Sequence, residues 1–150
     1  MKTCHKLLAV ITLVLVVPIS HANSEMRQFI EFFDKNNPEK FQAMLDDFIE
    51  KGQAGDVDGM LSITSPNTRR KFGDGQLRTV YRDKFVPLLK SCSSLTKSMN
   101  VTAVSEAQTR AGAGYLYEFG CVRDNAPTFR LKSFILWEEG TVVVTSFGPG

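Results

Sequence analysis

The sequence predicts an α+β fold, with N-terminal helices packed on a curved antiparallel sheet of about four strands. Three observations predict it. Apolar residues recur at helical spacing from Phe41 to Leu88. From about Val101 onward they alternate with polar residues, as in half-buried strands. The two regimes do not interleave, and helices followed by a strand meander place the helices on one face of the sheet.

The chain opens with a segment of a different kind. Lys2, His5 and Lys6 precede an apolar run, Leu7 to Ile19, broken only by Thr12, and Ser20 and Ala22 supply the small residues of a cleavage site. The run falls short of the roughly 20 apolar residues a spanning helix needs. It therefore reads as a secretory signal peptide over 1–22 rather than a membrane anchor. Cys4 precedes the apolar run, so it is not the lipid-bearing cysteine of a lipoprotein. Residues 23–150 are then one domain, exported and most simply periplasmic, with secretion as the alternative and no membrane span after cleavage.

Each element follows in order. Met26, Phe29, Ile30, Phe32 and Phe33 fit a short helix between Asn23 and Asn37. Asn37 is suited to cap the next helix, and Pro38 to its first position. Phe41, Met44, Leu45, Phe48 and Ile49 form its apolar stripe, and Gly52 is expected to stop it. Asp56 is placed to cap a short helix carrying Val57, Met60 and Leu61. Ser65 to Gly75 reads as a turn followed by a basic patch, Arg69, Arg70 and Lys71, which is an exposed helix end or, as the alternative, a docking site for an acidic partner or ligand carboxylate. A third helix over Gln76–Lys90 carries Leu77, Val80, Tyr81, Phe85 and Leu88 on one face, with Pro87 kinking or ending it. Met99, Val101 and Ala103 start the sheet, and Ser105 to Gly114 is a connection. Strands then run over Tyr115–Val122, Phe129–Trp137 and Thr141–Phe147, joined by turns at Arg123–Pro127 and Glu138–Gly140.

Composition narrows the chemistry. Without Lys2 and Lys6 the basic residues number 16, equal to the 16 acidic ones, so no excess charge favours nucleic acid or anionic lipid as a partner. Both histidines, His5 and His21, lie in the signal segment. Residues 23–150 therefore lack histidine-activated nucleophiles, histidine bases and histidine metal ligands. Asp56 and Asp58 lack the glycine and distal glutamate of a calcium loop. No metal and no cofactor is expected.

Two cysteines remain, Cys92 and Cys121, and an even count in an exported chain fits a disulfide. A reactive thiol and a pair of free buried cysteines are the alternatives. A sheet register turning near Gln108–Arg110 puts the two close but not directly opposite, so a bridge needs a bulge or an approach from the helix end.

Strand alternation puts Tyr115, Tyr117, Phe119 and Cys121 on one face, beside Phe129, Leu131, Ser133, Ile135 and Trp137. Most of this wall is core, since burying each large side chain is worth roughly 1.5–3 kcal/mol. Tyr115, Tyr117, Ser133 and Trp137, with Tyr81 from the third helix, carry polar tips and are the candidate ligand-binding residues. The opposite face carries Glu118, Arg130, Lys132, Phe134 and Leu136, with a cross-strand Glu118–Arg130 pair expected.

FIEKGQAGDVDGML (Phe48 to Leu61) and FILWEEGTVVVTSF (Phe134 to Phe147), on either side of a third helix, resemble the nuclear transport factor 2-like superfamily over Asn37–Phe147. The matching features are the Gly55–Asp56 turn and the hairpin from Trp137 to Val142. The resemblance implies a cone-shaped fold, a curved sheet wrapped round a helix, a pocket, and an outer sheet face used for homodimers. A cystatin-like roll is the nearest alternative architecture, which the third helix and the Gly55–Asp56 turn disfavour. Ketosteroid isomerases of that superfamily pair a carboxylate base with a tyrosine and a protonated acid. Their pocket tyrosine has no match in the first two helices here, and the dehydratases and cyclases use histidine.

The function expected first is an exported, non-catalytic domain that binds a small apolar ligand or a protein partner, with no catalytic residues assigned. The second is a histidine-free isomerase or hydrolase, with Asp83 or Glu118 as a base of raised pKa working with a tyrosine. The third is a pocketless envelope-complex subunit or inhibitor.

Overall fold

The computed structural model describes residues 37–96 and 100–150. The expected signal segment, the helix expected before Asn37, and Met99 lie outside the described residues. Helix α1 spans Pro38–Ala54; Asn37 Oδ1 accepts the Glu39 N–H at 3.0 Å and so caps it. Phe41, Leu45 and Phe48 are its buried stripe. The expected stop at Gly52 is corrected. The helix continues to Ala54, and Gly55, at φ 83°, closes it in the left-handed region. Gly52 instead serves close packing, since a Cβ there would lie 2.2 Å from Leu89 Cδ1.

Helix α2, Val57–Ser62, is capped by Asp56, which accepts the Gly59 N–H at 2.8 Å. The basic patch does form a helix end: helix α3 spans Pro66–Phe72, beginning at once after Ser65 without the expected turn. Ser65 Oγ caps it by accepting the Thr68 N–H at 3.2 Å. The third predicted helix starts earlier than expected and has three parts: α4 (Asp74–Val80), a π-helical turn (Tyr81–Phe85) and α5 (Val86–Lys90). Pro87 does not end it. Pro87 has no N–H to donate, and the Val86 N–H reaches back to Tyr81 O in the wider turn just before it. The added residue shifts the helical phase, so Leu89 is fully buried and Leu88 only partly.

The sheet is antiparallel and curled, built from β1 (Ser94–Leu95), β2 (Asn100–Val104), β3 (Gly114–Arg123), β4 (Ala126–Glu138) and β5 (Thr141–Pro149). β1 and β2 pair with successive stretches of β3, and β4 and β5 follow on its other side. The connection before β3 contains a one-turn helix, α6 (Glu106–Thr109), which the sequence reading did not anticipate; a capping box at Ser105 and Gln108 holds it. Val101 and Ala103 are exposed rather than half-buried, because β2 lies at the sheet edge, beyond the cover of the helices.

Register confirms the aromatic wall. Tyr115 faces Ile135, Tyr117 faces Ser133, Phe119 faces Leu131 and Cys121 faces Phe129. This wall packs on Phe41, Leu45 and Phe48 of α1. The outer-face pair is corrected: Glu118 lies opposite Lys132 and bonds it at 2.9 Å, whereas Arg130 lies opposite Gly120.

Cys92 and Cys121 form a disulfide with a Cα–Cα distance of 5.3 Å. Leu95 is the register partner of Cys121, so Cys92 reaches it from the end of α5, just upstream of β1. The far edge of the sheet is partly closed too. The Ser65 N–H donates to Val144 O at 2.8 Å and the Val144 N–H to Ile63 O at 3.0 Å, which lays residues 63–65 along β5.

Candidate functional site

The five residues expected to bind a ligand occupy three places. Tyr115, Tyr117 and Ser133 are neighbours on the concave sheet face. Tyr115 meets the Phe41 ring edge-on at 5.0 Å, Tyr117 donates to Pro38 O at 3.3 Å, and Ser133 donates to Ser146 O at 2.9 Å. Tyr117 and Ser133 are buried. Tyr81 is also buried. The Thr64 hydroxyl already donates to Met60 O, so the Tyr81 hydroxyl, 2.7 Å away, is the donor to Thr64. Tyr81 opens on a groove beside β5, and Trp137 on a shallow one with Met44 and Thr141.

Burial pushes the Tyr117 phenol up to about 12, with Tyr115 and Asp46 adding to the effect. Burial also raises Tyr81, against the opposing bond to Thr64. The neutral phenols are the forms the fold favours. Their contribution to stability is complete below the ordinary tyrosine pKa of about 10 and is lost as pH rises through the folded values. An ultraviolet absorbance titration should therefore show Tyr117 ionising near pH 12 and Tyr81 above the ordinary tyrosine value, together with loss of the far-ultraviolet dichroism of the fold.

The two carboxylates named as candidate bases are shifted the wrong way for a base. The Arg82 guanidinium holds Asp83 below the usual carboxylate range. Lys132 and Asn100 do the same for Glu118. A third carboxylate escaped sequence reading. Glu138, 3 % exposed, accepts from Ser65 Oγ at 2.6 Å and from Asn67 Nδ2 at 3.2 Å, while its Oε1 has no partner among the described residues. Ser65 is fully buried, so its hydroxyl is closed to an outside substrate; the pair ties the start of α3 to the β4–β5 hairpin. Among the described residues no group of three or more His, Cys, Asp or Glu side chains is arranged to hold a metal.

A groove of about 550 Å³ lies between α1 and the β1–β2 edge. Leu45, Ile49, Leu95, Val101 and Phe119 form its apolar surface. Asp46 and Glu50, one helical turn apart, stand on its rim. Asp46 accepts from Gln42 Nε2 at 2.8 Å. Val101, 49 % exposed, puts its side chain on the open lip. The signal for this groove was present in the sequence. Leu45 and Ile49 recur at i, i+4, and Asp46 and Glu50 follow each by one residue, so the carboxylates border the apolar stripe.

No known protein family, curated protein or solved structure matches the chain. The arrangement itself defines the class: helices packed on a curled antiparallel sheet, compatible with a cone-like fold.

Proposed function

We propose that the protein is an exported, non-catalytic binding domain that takes a small apolar ligand carrying a positive charge. The observation that carries this reading is the groove between α1 and the sheet edge, apolar inside and bordered by Asp46 and Glu50. Its volume of about 550 Å³ falls within the ~300–1,000 Å³ common for small-molecule sites. Export is supported by the N-terminal apolar segment and by the disulfide, which persists in oxidising compartments. The resemblance to the nuclear transport factor 2-like superfamily supports a pocketed cone.

The test is an NMR titration of the oxidised protein with octylammonium and, in parallel, octanol. Amide shifts are expected at Leu45, Ile49, Leu95 and Val101 for both probes. Asp46→Asn with Glu50→Gln should weaken octylammonium by roughly two- to thirtyfold, as two rim charges worth ~0.2–1 kcal/mol each predict, and leave octanol unchanged. Shifts that spare this groove would overturn the reading.

A second reading, a homodimer or envelope partner on the outer sheet face, draws on a different observation. Val104, Leu116, Phe134 and Leu136 line a groove of about 360 Å³ on that face. Sedimentation of the oxidised protein as a monomer at all concentrations would dismiss the homodimer.

A further inference from the structure

We propose a second ligand site, for a short-chain or single-ring apolar anion, in the groove between α3–α4 and the C-terminal part of β5. This site is independent of the one above. It lies by β5, at the opposite edge of the sheet from β2, and its charge is of the opposite sign.

The groove has a volume of about 250 Å³ and is lined by Phe72, Leu77, Val80, Phe85 and Phe147, with Tyr81 at its base. That is a small space, which limits the apolar part of the ligand to a short chain or one ring. Phe72 is 45 % exposed. An exposed aromatic at the lip of an apolar groove leaves surface that a ligand would cover with a gain in free energy.

Charge selects the sign of the ligand. Three cations follow one another at the end of α3, and two are already neutralised within the fold. Arg69 grips Asp74 through two bonds, of 2.9 and 2.6 Å, and Arg70 pairs with Glu139 at 2.9 Å. Lys71 has no carboxylate partner among the described residues. Its ammonium stands 5.1 Å from the centre of the ring of Phe72, which lines the groove. A carboxylate whose apolar part lies on Phe72 and Phe147 therefore meets the one cation of this cluster left without a counter-charge.

The position of the groove fits a built feature rather than a surface accident. The Gly73 turn after α3 directs the chain into α4, and Thr68 Oγ1 anchors α3 to Thr145 O at 3.0 Å. The π turn carries Tyr81 and Phe85 to the groove floor, stacked at 5.5 Å. Helix α3, the π turn and β5 are thus held together before any ligand arrives.

The experiment is an NMR titration of the full oxidised protein with octanoate, using octylammonium as the control. Octanoate should shift the amides of Phe72, Leu77 and Phe147. Lys71→Glu should weaken it at least fivefold, and Lys71→Arg should restore most of the affinity. Both substitutions are at an exposed position, so the fold is retained. Equal affinity in Lys71→Glu, octanoate shifts confined to the groove at Asp46 and Glu50, or no shifts at all would each overturn the proposal. Protein-concentration-dependent shifts at Phe72 without any probe would also overturn it, because a second copy would then be the occupant.

Discussion

Phe48→Ala should destabilise the protein by about 3–5 kcal/mol, the range for removing a fully buried aromatic ring. Phe48 is 0 % exposed and joins three parts of the fold. Its ring meets Tyr81 of the π turn edge-on at 5.7 Å and Phe147 of β5 at 5.2 Å, from its place on α1. Truncation removes the transfer free energy of the ring and leaves a cavity that neither neighbour can fill, since Tyr81 is tethered to Thr64 and Phe147 to the sheet. Phe48→Leu keeps most of the volume and should cost about 1–2 kcal/mol. Urea unfolding of both variants checks the pair. A loss below about 1 kcal/mol for Phe48→Ala would mean that α1 does not pack on the sheet as described.

Breaking the disulfide should cost about 3–4 kcal/mol, the chain-entropy value for a loop closed over 29 residues. The bond ties the end of α5 to β3, so its loss releases the helical layer from the sheet centre. Reduction of the wild-type protein is the cleanest perturbation, because Cys121 is fully buried and a serine there would add a buried hydroxyl. Cys92→Ala, Cys121→Ala and the double variant should lose similar amounts, since each removes the same bond. Additive losses in the double variant would show that the two cysteines act separately. Thermal unfolding with and without reductant gives the comparison.

Much of the fold was legible because period and punctuation agreed. The stripe Phe41–Leu45–Phe48, the Asn37–Pro38 start and the Asp56 cap are local signals, and local hydrogen bonds realise them. The parity of the aromatic wall is equally local, since a strand has only two faces. The misreadings share a cause: tertiary contact overrode a local preference. Gly52 looked like a helix stop and is a packing notch for Leu89. Leu88 looked like core, but the π turn hands that place to Leu89. Glu118 found Lys132 rather than Arg130 because register, which sequence leaves loose, sets the partner.

The candidate site was less legible for the same reason. Aromatic content pointed to Tyr115 and Tyr117, yet their side chains pack on Phe41 and each other. The open grooves form where neighbouring elements meet only in part, along α1 and the β2 edge and beside the α3–β5 contact. Such gaps depend on helix placement, which no single segment encodes. Glu138 was overlooked because its partners, Ser65 and Asn67, lie 73 and 71 residues away in the sequence.

The proposed function is that of an exported domain holding a small apolar ligand. Native mass spectrometry of protein recovered after export, without reductant, tests it most directly. The expected result is a chain lacking residues 1–22, two mass units lighter than its reduced form for the single disulfide, and carrying a small-molecule adduct released on collisional activation. An unprocessed chain, or a processed one that carries no adduct and takes up neither octylammonium nor octanoate, would contradict it.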